Sequence, residues 1–393
     1  MLERTRMPAR YLDYIKGIAA TLVEDAILTG DGLTWESDGP VGSCMYGGNG
    51  GIAWFLAHAA RYDESGAAAT AALRAIRPVL ARVHTQLESS DLSWLHGATG
   101  IAWAAWGIGE RLHRSELRRS AFGLARDIAG LIRLRANRTP LDVTGRLEGV
   151  VVGLLAIHRQ SPHATILDAA RVACDDLLDR GHHEWSGGMA LALAETAFAS
   201  GDKRLLRAAH DVLRHEDTAQ DPIATGLTRL RIYEETHDTS TLADIDAAIA
   251  AARSVVMEAA VELQNGRVSD GSVCHGLASA AELLMVAHSV LGNEDDLRAA
   301  RRAGDLCLAI CDANDARWPG GLQRSKASPG LFLGPTGVAN TLIRLYDARV
   351  PFVCAMICSW PKKQRNLLRA SPPALPATTP TRLLSVVRTS SMN

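Results

Sequence analysis

One tetrapeptide fixes what this chain can become: Gly51-Ile52-Ala53-Trp54 returns as Gly100-Ile101-Ala102-Trp103, each at the end of a small-residue turn. Both turns carry a pair of glycines, Gly48 and Gly51 or Gly97 and Gly100, and both run straight into an apolar segment with helical spacing. Glycine in such a place means either a positive φ or a helix start that other backbone approaches closely. Weaker copies follow: Leu147-Glu148-Gly149, Ser186-Gly187-Gly188, Ala224-Thr225-Gly226, His275-Gly276-Leu277 and Gly334-Pro335-Thr336-Gly337, each ahead of an apolar helix-like stretch. Seven turn-then-helix units result. A unit of that size cannot bury its own apolar face and has to pack on its neighbours.

The first two units show the plan. Helices are expected over 52–60 and 67–87, then over 101–113 and 116–135, each pair an inner apolar helix followed by an outer amphipathic one. A first helix is expected over 10–29, stopped by Gly30-Asp31-Gly32. The third unit opens at Leu141-Asp142-Val143, the fourth at Gly181-His182-His183-Glu184-Trp185, the fifth around Asp221, the sixth at Gly271 and the seventh at Pro329. No alternating β-branched segment of any length appears, so a sheet protein is excluded. The first and last turns are as apolar and glycine-rich as the middle ones, whereas an open stack needs polar end faces. The expected fold is therefore all-α, an α/α toroid of seven helical hairpins over residues 1–352, with its glycine turns at one mouth.

Composition sets the remaining bounds. A formal net charge of -1 over 393 residues gives no reason to expect a nucleic-acid partner. Seven cysteines at irregular spacing argue against a disulfide framework and for a reducing, cytoplasmic setting. The apolar run near the end, 350–360, is too short to span a membrane. Residues 353–393 are basic and proline-rich and read as a disordered tail. A monomer is expected.

The sharpest chemical signal is Cys274-His275-Gly276, a thiol and an imidazole side by side at a helix start, the ligand types that zinc prefers. An ordinary buried cysteine beside a polar histidine is the competing reading. Zinc needs at least three protein ligands, so others must come from neighbouring turns.

With these marks in view, residues 10–352 resemble the lanthionine synthetase C-like family, and in particular the cyclase end of the bifunctional type 2 lanthipeptide synthetases. The resemblance rests on the seven glycine turns, Cys274-His275-Gly276 in the sixth, Leu141-Asp142-Val143 ahead of Glu148, and the closing run from Gly334 through Leu345-Tyr346-Asp347 to Pro351. It implies a zinc enzyme that activates cysteine thiols of a precursor peptide for addition to dehydroalanine or dehydrobutyrine, closing thioether rings. It also implies a cysteine from the fifth turn as third ligand, with an aspartate in the third turn and a histidine in the fourth handling protons. Here Cys274 and His275 match the metal pair and Asp142 the acid. The fourth-turn histidine falls on Glu184, with His183 just before it, and the fifth-turn cysteine falls on Ala219. Asp221 or Asp217 is the carboxylate available to replace it. The expected site is thus Asp142, His183 and Glu184 for proton transfer and Cys274, His275 and Asp221 for Zn2+. Two functions stay open: a peptide cyclase, or an inactive toroid that binds a peptide or a synthetase component.

Overall fold

The computed structural model describes residues 7–36, 41–136, 147–179, 186–215, 222–314, 328–347 and 349–351. Among these the chain is almost wholly helical. Helix α1 (Ala9–Glu24) is followed by a two-stranded antiparallel hairpin, β1 (Ile27–Leu28) and β2 (Leu33–Thr34), with Ile27 opposite Thr34 and Leu28 opposite Leu33. The helix expected over 10–29 thus ends earlier, and Gly30-Asp31-Gly32 is a hairpin turn rather than a helix stop. The cause is Trp35. Its buried indole donates to the Leu22 carbonyl at 2.7 Å, satisfying one of the last-turn acceptors that a longer α1 would have used. Ile27 and Leu28 stay exposed, so their apolar character carried no helical face.

Thirteen further helices follow among the described residues and alternate in character. One set, α2 (Asn49–Ala59), α4 (Ala98–Arg111), α6 (Leu147–Gln160), α8 (Gly187–Ser200), α10 (Pro222–Thr236), α12 (Leu277–Leu291) and α14 (Pro335–Arg344), is buried on nearly every side. Every residue of α2 is buried, as expected of a helix covered by neighbours all round. The other set, α3 (Ala67–Thr85), α5 (Ser115–Ala136), α7 (Ala164–Asp179), α9 (Lys203–His215), α11 (Leu242–Gln264) and α13 (Glu294–Ala313), buries one stripe and exposes the rest. In α9 the stripe is Leu205, Ala209, Val212 and Leu213, spaced by three and four.

Consecutive helices pair, α2 with α3, α4 with α5, and so on to α12 with α13, while α14 packs on α1. The buried helices also contact one another in series: α2 on α4, α4 on α6, α6 on α8, α8 on α10, α10 on α12, α12 on α14, and α14 back on α2. No helix among the described residues is long and apolar enough to cross a membrane.

Between paired helices the chain reverses with little chain length. Gly201 and Gly292, at φ +76° and +78°, follow α8 and α12 in the left-handed conformation and donate back to the Ala197 and His288 carbonyls. These are the SGDKR and GNEDD loops of the sequence. In the second, the Asn293 side chain accepts from the Asp295 amide and so caps α13.

Several buried charges are paired between neighbouring buried helices. Glu195 of α8 accepts from Arg159 of α6 and from Arg231 of α10, both at 2.8 Å. Burial pushes this carboxyl up, but the two guanidiniums outweigh it and hold its pKa below the ordinary value. Glu282 of α12, accepting from Thr341 and Arg344 of α14, has one guanidinium only, and there burial wins and the pKa rises. Removing one member of such a pair strands a buried charge, so each pair fixes which helix sits beside which.

Candidate functional site

The glycine turns are built on one pattern, clearest in the second and sixth units. Asp91-Leu92-Ser93-Trp94-Leu95-His96-Gly97 and Asp270-Gly271-Ser272-Val273-Cys274-His275-Gly276 share aspartate, serine, histidine and glycine in register. Their hydrogen bonds repeat one for one. The serine amide donates to the aspartate Oδ1 at 2.7 Å in both, and the serine hydroxyl donates to Oδ2 at 3.0 Å and 3.1 Å. The histidine amide donates to the serine Oγ at 3.3 Å and 3.4 Å. The first helical amide, Ala98 or Leu277, donates back to the aspartate carbonyl at 2.7 Å and 3.0 Å.

This fold-back explains the glycines. Gly97 and Gly276 have extended backbones with negative φ, so conformational freedom is not what is required. A Cβ on Gly97 would lie 2.1 Å from the Asp91 carbonyl oxygen, and one on Gly276 would lie 2.3 Å from that of Asp270. Of the two readings offered by the sequence, close backbone approach is the correct one for these turns.

Four turns are then joined through their backbones. Cys274 donates to the Phe332 carbonyl at 3.1 Å, Phe332 to Tyr46 at 3.0 Å, and Tyr46 to Leu95 at 3.0 Å. All four residues stand two places before a helix-capping glycine, Gly276, Gly334, Gly48 or Gly97. The sixth, seventh, first and second turns therefore lie edge to edge, which brings residues from both ends of the sequence to one place.

At that place the side chains converge on sulfur. Cys274 Sγ lies 3.1 Å from His275 Nε2 and 3.3 Å from the Tyr46 hydroxyl. The Tyr46 ring stacks on Phe332 at a centroid separation of 5.1 Å and meets the His96 ring at 5.3 Å. Cys274 is half-buried and both histidines are exposed, so the cluster opens to solvent. Three other thiols are poorly placed for chemistry: burial pushes Cys174 and Cys307 up to about 12, and Cys311 to about 11.

Of the residues singled out by sequence, Cys274 and His275 are brought together as expected. Asp142, His183, Glu184 and Asp221 lie outside the described residues, as do Asp217 and Ala219. Tyr46 and His96 are additions that sequence reasoning passed over. The repeated Asp-x-Ser-x-x-His-Gly was the available signal for His96; nothing local marked Tyr46.

A resident zinc was implied by the resemblance, and the donor set can be tested against it. Sulfur and imidazole nitrogen are suitable donors, and they sit at an open surface. Yet a zinc site holds at least three protein ligands, and among the described residues no group of three His, Cys, Asp or Glu side chains converges anywhere. The described residues supply two donors and do not by themselves fit the metal.

A family model described as lanthionine synthetase C-like protein matches residues 39–354. No curated protein matches the chain.

Proposed function

The chain belongs to the lanthionine synthetase C-like family, and we propose that it is a seven-hairpin α/α toroid that receives a peptide, or a component of a lanthipeptide synthetase, at the mouth formed by its glycine turns. The closing contact of α14 on α2 supports the toroid, with α1 standing in as the outer partner of α14. The mouth is the natural contact surface. It gathers the N-terminal ends of the buried helices, with the exposed His96 imidazole against Tyr46 of the Tyr46–Phe332 stack and the exposed His275 imidazole against Cys274.

The observation that carries the binding reading over a catalytic one is the donor count. The fifth turn reads Thr218-Ala219-Gln220-Asp221, and no cysteine stands anywhere between Cys174 and Cys274. With Ala219 at the expected ligand position and Glu184 at the expected histidine position, both the metal shell and the proton carrier implied by the resemblance are altered. The protein then holds its peptide without closing a thioether ring.

A second reading, zinc-dependent ring closure, is favoured by Cys274 and His275 lying side by side at the sixth turn. It requires Asp221 or Asp217 as a third ligand, and it gives Asp142 and His183 or Glu184 the proton transfers. Incubating the purified protein with zinc and a dehydrated precursor peptide separates the readings. Retention of the peptide with no thioether product supports binding; accumulation of a ring, lost on Cys274→Ser, would establish the cyclase instead.

A further inference from the structure

At the C-terminal ends of three adjacent buried helices, away from the glycine turns, arginines outnumber carboxylates among the described residues. Arg61 follows α2, Arg111 ends α4, and Arg349 follows α14; the carboxylate among them is Asp347. Both oxygens of Asp347 are taken. Arg61 Nη1 and Arg349 Nη2 each donate to Oδ2 at 2.7 Å, and Arg349 Nε donates to Oδ1 at 2.6 Å. Nearby Arg344 is engaged by Glu282 and by the Val350 carbonyl.

Arg111 is the exception. Its Nη2 is buried without a hydrogen-bond partner, and its side chain makes no hydrogen bond among the described residues. Burial most of all, with Arg61 adding to it, depresses its pKa below the ordinary guanidinium value despite the pull of Asp347. Arg231 shows the opposite outcome. It too is buried, but Glu195, Glu234 and Glu235 all accept from it, and its pKa is raised. The C-termini of α2, α4 and α14 each contribute about half a negative charge. Together they offset much, but not all, of the two positive charges left over when Asp347 is set against Arg61, Arg111 and Arg349, and they give Arg111 Nη2 no acceptor. The neighbouring imidazole adds no further positive charge, because His58 is neutral, its pKa pushed down to about 3.

We propose that Arg111, with Arg61 beside it, forms a binding site for a small oxyanion, a carboxylate or a phosphate. A guanidinium presents parallel N–H groups that suit a two-oxygen acceptor and that a halide cannot use together. Arg111 is half-buried as a residue, so it is not sealed from solvent. The site is independent of the peptide-binding reading and of any metal at Cys274.

Thermal unfolding of the full chain tests this with low-millimolar phosphate, acetate or chloride at matched ionic strength. Phosphate or acetate raises Tm by a few degrees over chloride, saturably, as a ligand of the folded state should. A rise with phosphate alone assigns the phosphate class, and one with acetate alone the carboxylate class. Phosphate also stabilises proteins by exclusion from their surfaces, so Arg111→Met is the deciding variant. Its Tm in chloride equals or exceeds that of the unaltered protein, because a stranded charge has been removed, and its anion-dependent rise is abolished. Arg111→Lys retains the charge without the fork and keeps less than half of the rise. The proposal is overturned if neither anion raises Tm over chloride, if the rise persists in Arg111→Met, or if that variant is destabilised or unfolded in chloride, since each of these makes Arg111 a structural residue.

Discussion

Tyr46 and Cys274 stand 228 positions apart in sequence, and the tyrosine hydroxyl lies 3.3 Å from the cysteine sulfur. The backbone chain from Leu95 through Tyr46 and Phe332 to Cys274 creates that contact, since Phe332 donates to one neighbour and accepts from the other. The sulfur thus lies against two side chains, Tyr46 and His275, that come from the first and sixth turns.

Replacing Tyr46 by Phe removes the hydroxyl and keeps the ring stacked on Phe332. Loss of one part-buried hydrogen bond costs about 1 kcal/mol, read as a lower urea midpoint with an unchanged m-value. Alkylation of Cys274 by iodoacetamide becomes faster at the same time, because a group that lies against the sulfur is gone. An unchanged alkylation rate, with Cys274→Ser as the background control, would show that the contact does not restrain the thiol.

The glycine turns predict a contrast between positions. Gly276→Ala forces a methyl to within 2.3 Å of the Asp270 carbonyl oxygen, in a turn tied down by five local hydrogen bonds. We expect a loss of about 1–3 kcal/mol, the range for overpacking a fixed site. Gly123→Ala, within α5 and with its nearest neighbour His84 Cε1 at 3.7 Å, has room and gains about 0.5–1 kcal/mol from helix propensity. Denaturation midpoints of the two variants should therefore move in opposite directions.

Those glycines also mark what could be read from the sequence. The repeat of Gly51-Ile52-Ala53-Trp54 announced a helix start with tight backbone approach, and α2 and α4 begin there because Gly48 and Gly97 can lie against their own turns. Cys274 and His275 were legible because they are adjacent. Tyr46 was not, because only the juxtaposition of the first and sixth turns gives it a role. His96 was hidden for another reason: its turn resembles the sixth in Asp91, Ser93 and Gly97 but carries Leu95 where the sixth has Cys274, so no metal-ligand pair drew attention to it. The hairpin after α1 was misread since Ile27 and Leu28 extend an apolar spacing that Trp35 in fact terminates.

Acid should weaken the fold partly through His58. This imidazole is wholly buried on α2, with Nδ1 2.8 Å from the Trp54 carbonyl oxygen. Burial first, and then Arg111 and Arg344, lower its pKa from 6.5 to about 3. A depressed folded pKa means that the stabilising contribution is complete above pH 6.5. As pH falls from there toward 3, the unfolded chain binds a proton that the folded one refuses. The contribution then declines by about 1.4 kcal/mol per pH unit. His58→Gln keeps a donor for the Trp54 carbonyl and cannot titrate. Its unfolding free energy should be flatter than that of the unaltered protein across this window, and parallel curves would remove His58 as the cause.

The metal content divides the two functional readings most directly. Cys274 and His275 offer two donors, which leaves half of a tetrahedral shell to water, and such a site does not retain zinc against dialysis. Elemental analysis of the dialysed protein should therefore find well under one zinc per chain, and Asp221→Ala should leave that figure unchanged. If instead zinc is stoichiometric and is lost equally in Cys274→Ser and Asp221→Ala, a carboxylate from the fifth turn completes the shell. Asp142 can then be tested for proton transfer with Asp142→Asn, which caps a helix about as well as aspartate but does not exchange a proton in the same way. Ring formation that survives this change would leave Asp142 as a cap, whereas its loss with the zinc content unaltered would place the third-turn carboxylate in the chemistry.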